Sequence, residues 1–157
     1  MTRPVTSVVG IREVPENIRS LSTMSEPDYV DMHALATANT EATAETWARA
    51  MYEEILGARG RMIFGPILGL DLAPPKAPDT VAGWRLAEQG EDWIRMEAAG
   101  KRVVGQIIVR SAGGLLSVTT FIQYVSRLGS TIWRMWSNVH RRAMPKLLRD
   151  ATDRVEG

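Results

Sequence analysis

Cysteine is absent from the 157 residues. That excludes disulfides, thiolate nucleophiles and thiolate metal ligands, and it leaves no sign of an oxidising compartment. Histidine is nearly as scarce, with only His33 and His140. No HxxxH or HExxH spacing joins them, so a metal site would need both to converge with a carboxylate from distant parts of the chain; spacing alone argues for no metal and no other cofactor. A surplus of charge is missing too, since 19 basic and 18 acidic residues leave +1. No overall field therefore draws the chain to nucleic acid or to an anionic membrane. The glycine clusters GARGR at 57–61 and GPILG at 65–69 lack the GK[ST] ending of a phosphate loop, and no serine sits in a GxSxG elbow, which argues against nucleotide and hydrolase chemistry. Residues 1–28 hold Arg3, Arg12, Glu13, Pro15, Glu16 and Arg19 and no long apolar run, so neither a signal peptide nor a membrane anchor is expected, and the expected location is cytoplasmic.

What the chain does have is a core. Its length suits one domain, and 45% hydrophobic residues against 24% charged is ordinary for a globular protein. Five tryptophans and eight methionines supply large, adaptable side chains that can line a pocket as well as fill an interior. Pro4, Gly10, Pro15 and Pro27 punctuate residues 1–27, which read as an N-terminal arm with a short strand at Thr6–Val9; residues 28–157 read as a single domain. Alternation over Tyr29–Ala36 predicts a first strand, with Val30 and Met32 on one side and Tyr29, Asp31 and His33 on the other. Ala44, Trp47, Ala48, Met51 and Ile55 then recur at helical spacing, with Thr43 as N-cap and Gly57 as terminator. The stretch 61–72, apolar but broken by Gly65, Pro66 and Gly69, predicts a second short helix followed by a stiff loop. Four strand-like segments follow at 80–87, 93–98, 102–110 and 115–125. The joins between them are too short for parallel crossovers, so they form an antiparallel meander and bring the clear strands to five. Leu116, Val118, Thr120, Ile122 and Tyr124 should face the core, as should Ile94, Met96, Val103, Ile107 and Val109, with Arg95, Glu97 and Gln106 turned outward.

The rest of the chain is organised around a long helix at 128–155. On a helical wheel Ile132, Trp133, Trp136, Val139, His140, Ala143, Met144, Leu147 and Ala151 fall on one side, and Arg134, Asn138, Arg141, Pro145, Arg149 and Thr152 on the other. His140 is thus a polar residue on an apolar face. Pro145, on the outer side, would curve that face around whatever lies beneath.

Asp28, Tyr29 and Asp31, WARA at 47–50, LGL at 68–70, GWR at 83–85, TTF at 119–121 and HRRAMPKLL at 140–148 carry a resemblance across most of the chain. In their order and spacing the sequence is similar to the START-like helix-grip superfamily (SRPBCC), which includes pollen-allergen proteins and bacterial polyketide aromatases and cyclases. More narrowly it resembles an uncharacterised bacterial domain family of that fold. The resemblance implies an α+β helix-grip architecture: a curved antiparallel sheet wrapped around the long C-terminal helix, two short helices after the first strand, and a cavity between sheet and helix for an apolar or aromatic small molecule.

The expected ligand-binding residues are Trp84, Met96, Ile107, Tyr124, Trp136 and His140, closed over by 62–72 with Phe64 and Leu68. An enzyme of the cyclase or isomerase type is the alternative, with His140 moving a proton and Tyr124 stabilising an oxyanion. His33 reads as a half-exposed strand residue beside Asp31 and Tyr29. The basic strip Arg127, Arg134 and Arg141 reads as a solvated helix face rather than a nucleic-acid surface. A third reading is a non-catalytic interaction module, including a homodimer, in which 62–72 or a strand edge at Tyr29–Ala36 docks another chain.

Overall fold

In the computed structural model, which describes residues 3–157, one antiparallel sheet and one long helix dominate. The strands are β1 (Thr6–Val9), β2 (Tyr29–Ala36), β3 (Thr80–Val81), β4 (Trp84–Gln89), β5 (Trp93–Ala99), β6 (Val103–Ala112) and β7 (Leu115–Tyr124). Their order is β1-β2-β7-β6-β5-β4-β3, all neighbours antiparallel, in a curved open sheet. The 80–125 meander is as the short glycine-bearing joins require. Seven strands rather than five result, for two reasons: the Thr6–Val9 segment pairs with β2, and positive φ at Ala82 and Gly83 splits β3 from β4. A register shift between Leu86 and Glu88 bends the β4–β5 pair further.

The helices are α1 (Glu16–Arg19), α2 (Ala44–Arg49), α3 (Gly57–Met62) and α4 (Arg127–Glu156). Thr43 caps α2 by accepting the Thr46 N–H at 3.1 Å. The chain does not stop at Gly57 but widens into π-type turns at Ala50–Leu56 and again at Ile63–Ile67, on either side of α3. Ser126 caps α4, accepting the Gly129 N–H at 3.0 Å. Gly129 lies directly on the Arg102 backbone carbonyl, where any Cβ would collide, so the helix starts pressed against the β5–β6 turn. Among the described residues no helix is long and apolar enough to cross a membrane.

The side of α4 that meets the sheet is rotated from the wheel. Trp133, Met144, Leu147 and Ala151 are buried as expected, and so are Ser137, Leu148 and Thr152; Val139 and Ala143 are exposed. Hydropathy alone cannot fix this, because Ser137 and Thr152 satisfy their hydroxyls on the Arg134 and Arg149 carbonyls of the same helix, at 3.1 and 2.7 Å, and so can be buried. The main core lies between α2, α4 and the inner sheet face, around Trp47, Met51, Trp84, Met96, Val118 and Leu148.

The outer sheet face also differs from expectation. Arg95 and Gln106 do point away from α4, but the N-terminal arm covers them: Val14 and Ile18 pack on Val30, Ile108 and Phe121 in a second, smaller core. Because β2 is flanked by β1 and β7, it offers no free edge for docking; the free edges are β1 and β3.

Candidate functional site

Strand alternation sets the site. Tyr29, Asp31, His33 and Leu35 share the face of β2 that looks toward α4, while Val30 and Met32 look toward the arm. Across the ladder Asp31 faces Thr120 and His33 faces Val118 of β7, and on its other side His33 faces Ser7 of β1. From above, α4 lowers Trp133 and His140, seven residues apart and hence on one helix face.

Asp31 and His33 are both fully buried, so the expected half-exposed His33 is corrected: β1 on its outer side and α4 above seal a strand that alternation alone left open. His140 Nε2 lies 3.0 Å from Asp31 Oδ2, and His33 Nε2 lies 3.5 Å from the same oxygen. At these distances neither nitrogen makes a well-directed hydrogen bond, and both lack another partner among the described residues. His33 Nδ1 meets Ser7 Oγ at 2.7 Å. The Tyr29 hydroxyl donates to Asp31 Oδ2, and Arg141 donates to Tyr29 at 3.4 Å while its guanidinium sits 5.9 Å from the ring centre. Trp133 packs edge-on to Tyr29 at 5.1 Å and tilted against His140 at 5.3 Å. The two histidines and a carboxylate thus converge, although no local spacing announced it. The signal in the chain was Tyr29-x-Asp31-x-His33, a period-two run that puts three polar groups on one face of a strand.

Electrostatics follow from that crowding. Burial by itself raises the Asp31 carboxyl, but the two adjacent imidazoles outweigh it and hold the group well below the usual carboxylate range. Burial, then the Asp31 charge, pushes the Tyr29 phenol up, and the same two causes push up Tyr52. Both tyrosines therefore stay protonated at neutral pH and can only donate from their hydroxyls when an anion is near.

Comparison with family models, with curated proteins and with solved structures finds no match to this chain. What can be said of the site comes from its geometry.

Between α4, the 52–68 wall and the sheet lies a cavity of about 100 Å³. Of the residues expected from sequence, Phe64, Leu68, Trp84, Ile107, Trp136 and His140 line it. Met96 is buried in the core but not on the cavity wall, and Tyr124 sits half-buried at the end of β7, where its backbone N–H bonds to Asp28 at 2.7 Å. Tyr52, Thr120, Ile122, Trp133 and Met144 line it as well. Tyr52 stands four residues after Ala48 and three before Ile55, so the helical spacing was the signal that could have found it. Gly105 permits the floor: a Cβ there would lie 2.8 Å from the Trp84 ring, so only glycine lets that indole lie on β6. Arg102 holds the far end of the wall, donating to the Pro66 and Ile67 carbonyls at 2.9 Å each.

Proposed function

We propose that the chain binds a small apolar or aromatic molecule in the cavity between α4 and the sheet. The observation that carries this reading is the composition of the walls: aliphatic and aromatic side chains throughout, relieved by the hydroxyls of Tyr52 and Thr120 and the ring of His140 at one end. Size narrows the ligand. A space of about 100 Å³ is smaller than the roughly 150 Å³ apolar cavity that accepts benzene, so a single ring needs a small outward shift of the walls and a polycycle a large one. The wall able to give is 52–68, built of π-type turns around Gly57, Gly60 and Gly65. Tryptophan emission titrated with indole, toluene and naphthalene derivatives tests the reading. Saturable change is expected, tighter for one ring than for fused rings, and Ala143→Trp at the exposed mouth should weaken it at least about tenfold. No saturable response to any of these probes, or indifference to the Ala143 change, would overturn it.

A second reading, an enzyme of cyclase or isomerase type, is favoured by one feature: His140 lines the cavity while its Nε2 rests on the buried Asp31, the pairing that orients a general base. In that reading Tyr52, whose buried hydroxyl has no partner, takes the oxyanion role that Tyr124 lies outside the walls to perform. His140→Gln should then leave probe binding intact and abolish conversion of a bound compound, followed by mass spectrometry of incubations. Unchanged conversion in that variant would remove the reading.

A further inference from the structure

We infer that Asp31, His33 and His140 form a binding site for a divalent first-row transition metal ion, Zn²⁺ or Fe²⁺ by the chemistry of the donors. One donor atom from each residue, two imidazole nitrogens and a carboxylate oxygen, lies within 4.8 Å of the others. With metal–ligand bonds of about 2.0–2.2 Å, ligand atoms in a tetrahedral site stand roughly 3.3–3.5 Å apart, and the Asp31 contacts to the two histidines, 3.0 and 3.5 Å, bracket that spacing. Two imidazoles with one carboxylate suit zinc, iron and their neighbours rather than magnesium or calcium, which take all-oxygen sites.

The unpaired atoms support the same conclusion. Asp31 Oδ1, His33 Nε2 and His140 Nε2 are all buried and lack a hydrogen-bond partner among the described residues. Buried polar atoms are ordinarily paired, and leaving one unpaired costs about 1–3 kcal/mol, so three at one point call for an explanation. The 3.0 Å approach of His140 Nε2 to Asp31 accounts for one nitrogen. It leaves His33 Nε2 unexplained, whereas a cation between the three residues takes up both imidazole nitrogens together with Asp31 Oδ2.

An outer layer is also built. Ser7 Oγ engages His33 Nδ1 at 2.7 Å, which sets the ring with Nε2 facing inward. Tyr29 donates to Asp31, and Arg141 in turn holds Tyr29. The ligands stand on β2 and α4 rather than on loops, so the site is rigid. Three protein ligands leave a position open, and it faces the cavity, because His140 is part of the wall and the unpaired Thr120 hydroxyl lies across the ladder from Asp31.

The inference does not rest on the cavity taking an organic ligand, and the experiment separates the two. Full-length protein stripped with a chelator is titrated with ZnCl₂ by calorimetry and with CoCl₂ by visible absorption. One equivalent should bind at sub-millimolar concentration or tighter, with cobalt bands of a four- or five-coordinate site. His33→Gln, His140→Gln and Asp31→Asn should each weaken it by about a hundredfold or more, and Ser7→Ala, on an exposed residue, by about 10–100-fold. Ala143→Trp should block organic probes and leave metal affinity unchanged. Lack of saturation by either ion, or one-equivalent binding that survives both His33→Gln and Ser7→Ala, overturns the site. If a ligand variant fails to fold in a far-ultraviolet dichroism control, Ser7→Ala and the cobalt spectrum of the unmodified protein decide.

Discussion

The two faces of the sheet are buried in opposite ways. On the outer face the buried charge is paired. Arg95 donates to Glu97 at 2.9 Å, to Glu88 at 3.0 Å and to the Leu21 carbonyl at 2.8 Å. Gln106 accepts from Ser22 at 2.7 Å and from the Thr23 N–H at 3.1 Å, and donates to Thr23 Oγ1 at 2.6 Å. Among the described residues only the Thr119 hydroxyl and Arg19 Nε stand apart there. On the inner face Asp31 Oδ1, His33 Nε2, Tyr52 Oη, Thr120 Oγ1 and the indole nitrogens of Trp84 and Trp133 are buried without partners. A face that satisfies its polar groups internally has finished its interactions; one that leaves several unsatisfied around a cavity is arranged for something else. The arm closes the outer face, and the inner face keeps unpaired polar atoms beside its cavity.

The comparison can be broken in several places. The largest effect should come from Leu148→Ala, which removes a fully buried side chain between α4 and the sheet. A loss of about 2–5 kcal/mol in urea unfolding is expected. A loss under about 1 kcal/mol would mean that α4 rests on the sheet only loosely. Next comes Gln106→Leu on the outer face, which strands the Ser22, Thr23 and Glu97 groups that it now satisfies. It should cost about 1–3 kcal/mol and expose the arm to limited proteolysis before Met24. Thr120→Val on the inner face should do the reverse: the hydroxyl it removes has no partner, so stability should hold or rise by up to about 1 kcal/mol. Were the Thr120 change to cost as much as the Gln106 change, the distinction between the faces would collapse.

The smallest effect concerns Glu156, which ties the C-terminal end of α4 to the arm and to the loop after β2. Burial alone would raise its carboxyl, but hydrogen bonds from Arg3 and from the Asn39 and Ala38 N–H groups, with the Arg3 charge, hold it below the usual carboxylate range. Folding therefore favours the ionised form. The contribution is complete above the unfolded value of about 4.3 and declines as the pH falls through the lower folded value. Glu156→Gln should flatten the acid limb of a melting-temperature profile in that range and leave it unchanged in slope near neutrality. An identical acid limb in the variant would show that this carboxylate carries no linkage.

Much of this architecture is legible residue by residue. The Tyr29–Ala36 strand, the Thr43 cap, the meander and the inward set Leu116, Val118, Thr120 and Ile122 follow from period and turn chemistry, because local geometry dictates which side chains share a face. Legibility ends where a residue's surroundings come from elsewhere in the chain. Thr152 falls on the polar side of a wheel and is buried; Arg95 and Gln106 look outward and lie under the arm. Tyr52 reaches the cavity wall from a π-type turn, and only the fold shows what lies beside it.

By itself the amino-acid order determined that this chain makes an antiparallel meander, a long amphipathic helix carrying one histidine on its apolar side, and a strand presenting Tyr29, Asp31 and His33 together. Only the tertiary structure decided that β1 and α4 would seal that strand, and that His140 would come to rest on Asp31 beside a cavity. The physical reason is that periodicity acts over a few residues, whereas burial and the meeting of charges depend on which distant segment packs above, and that is settled by the whole core at once.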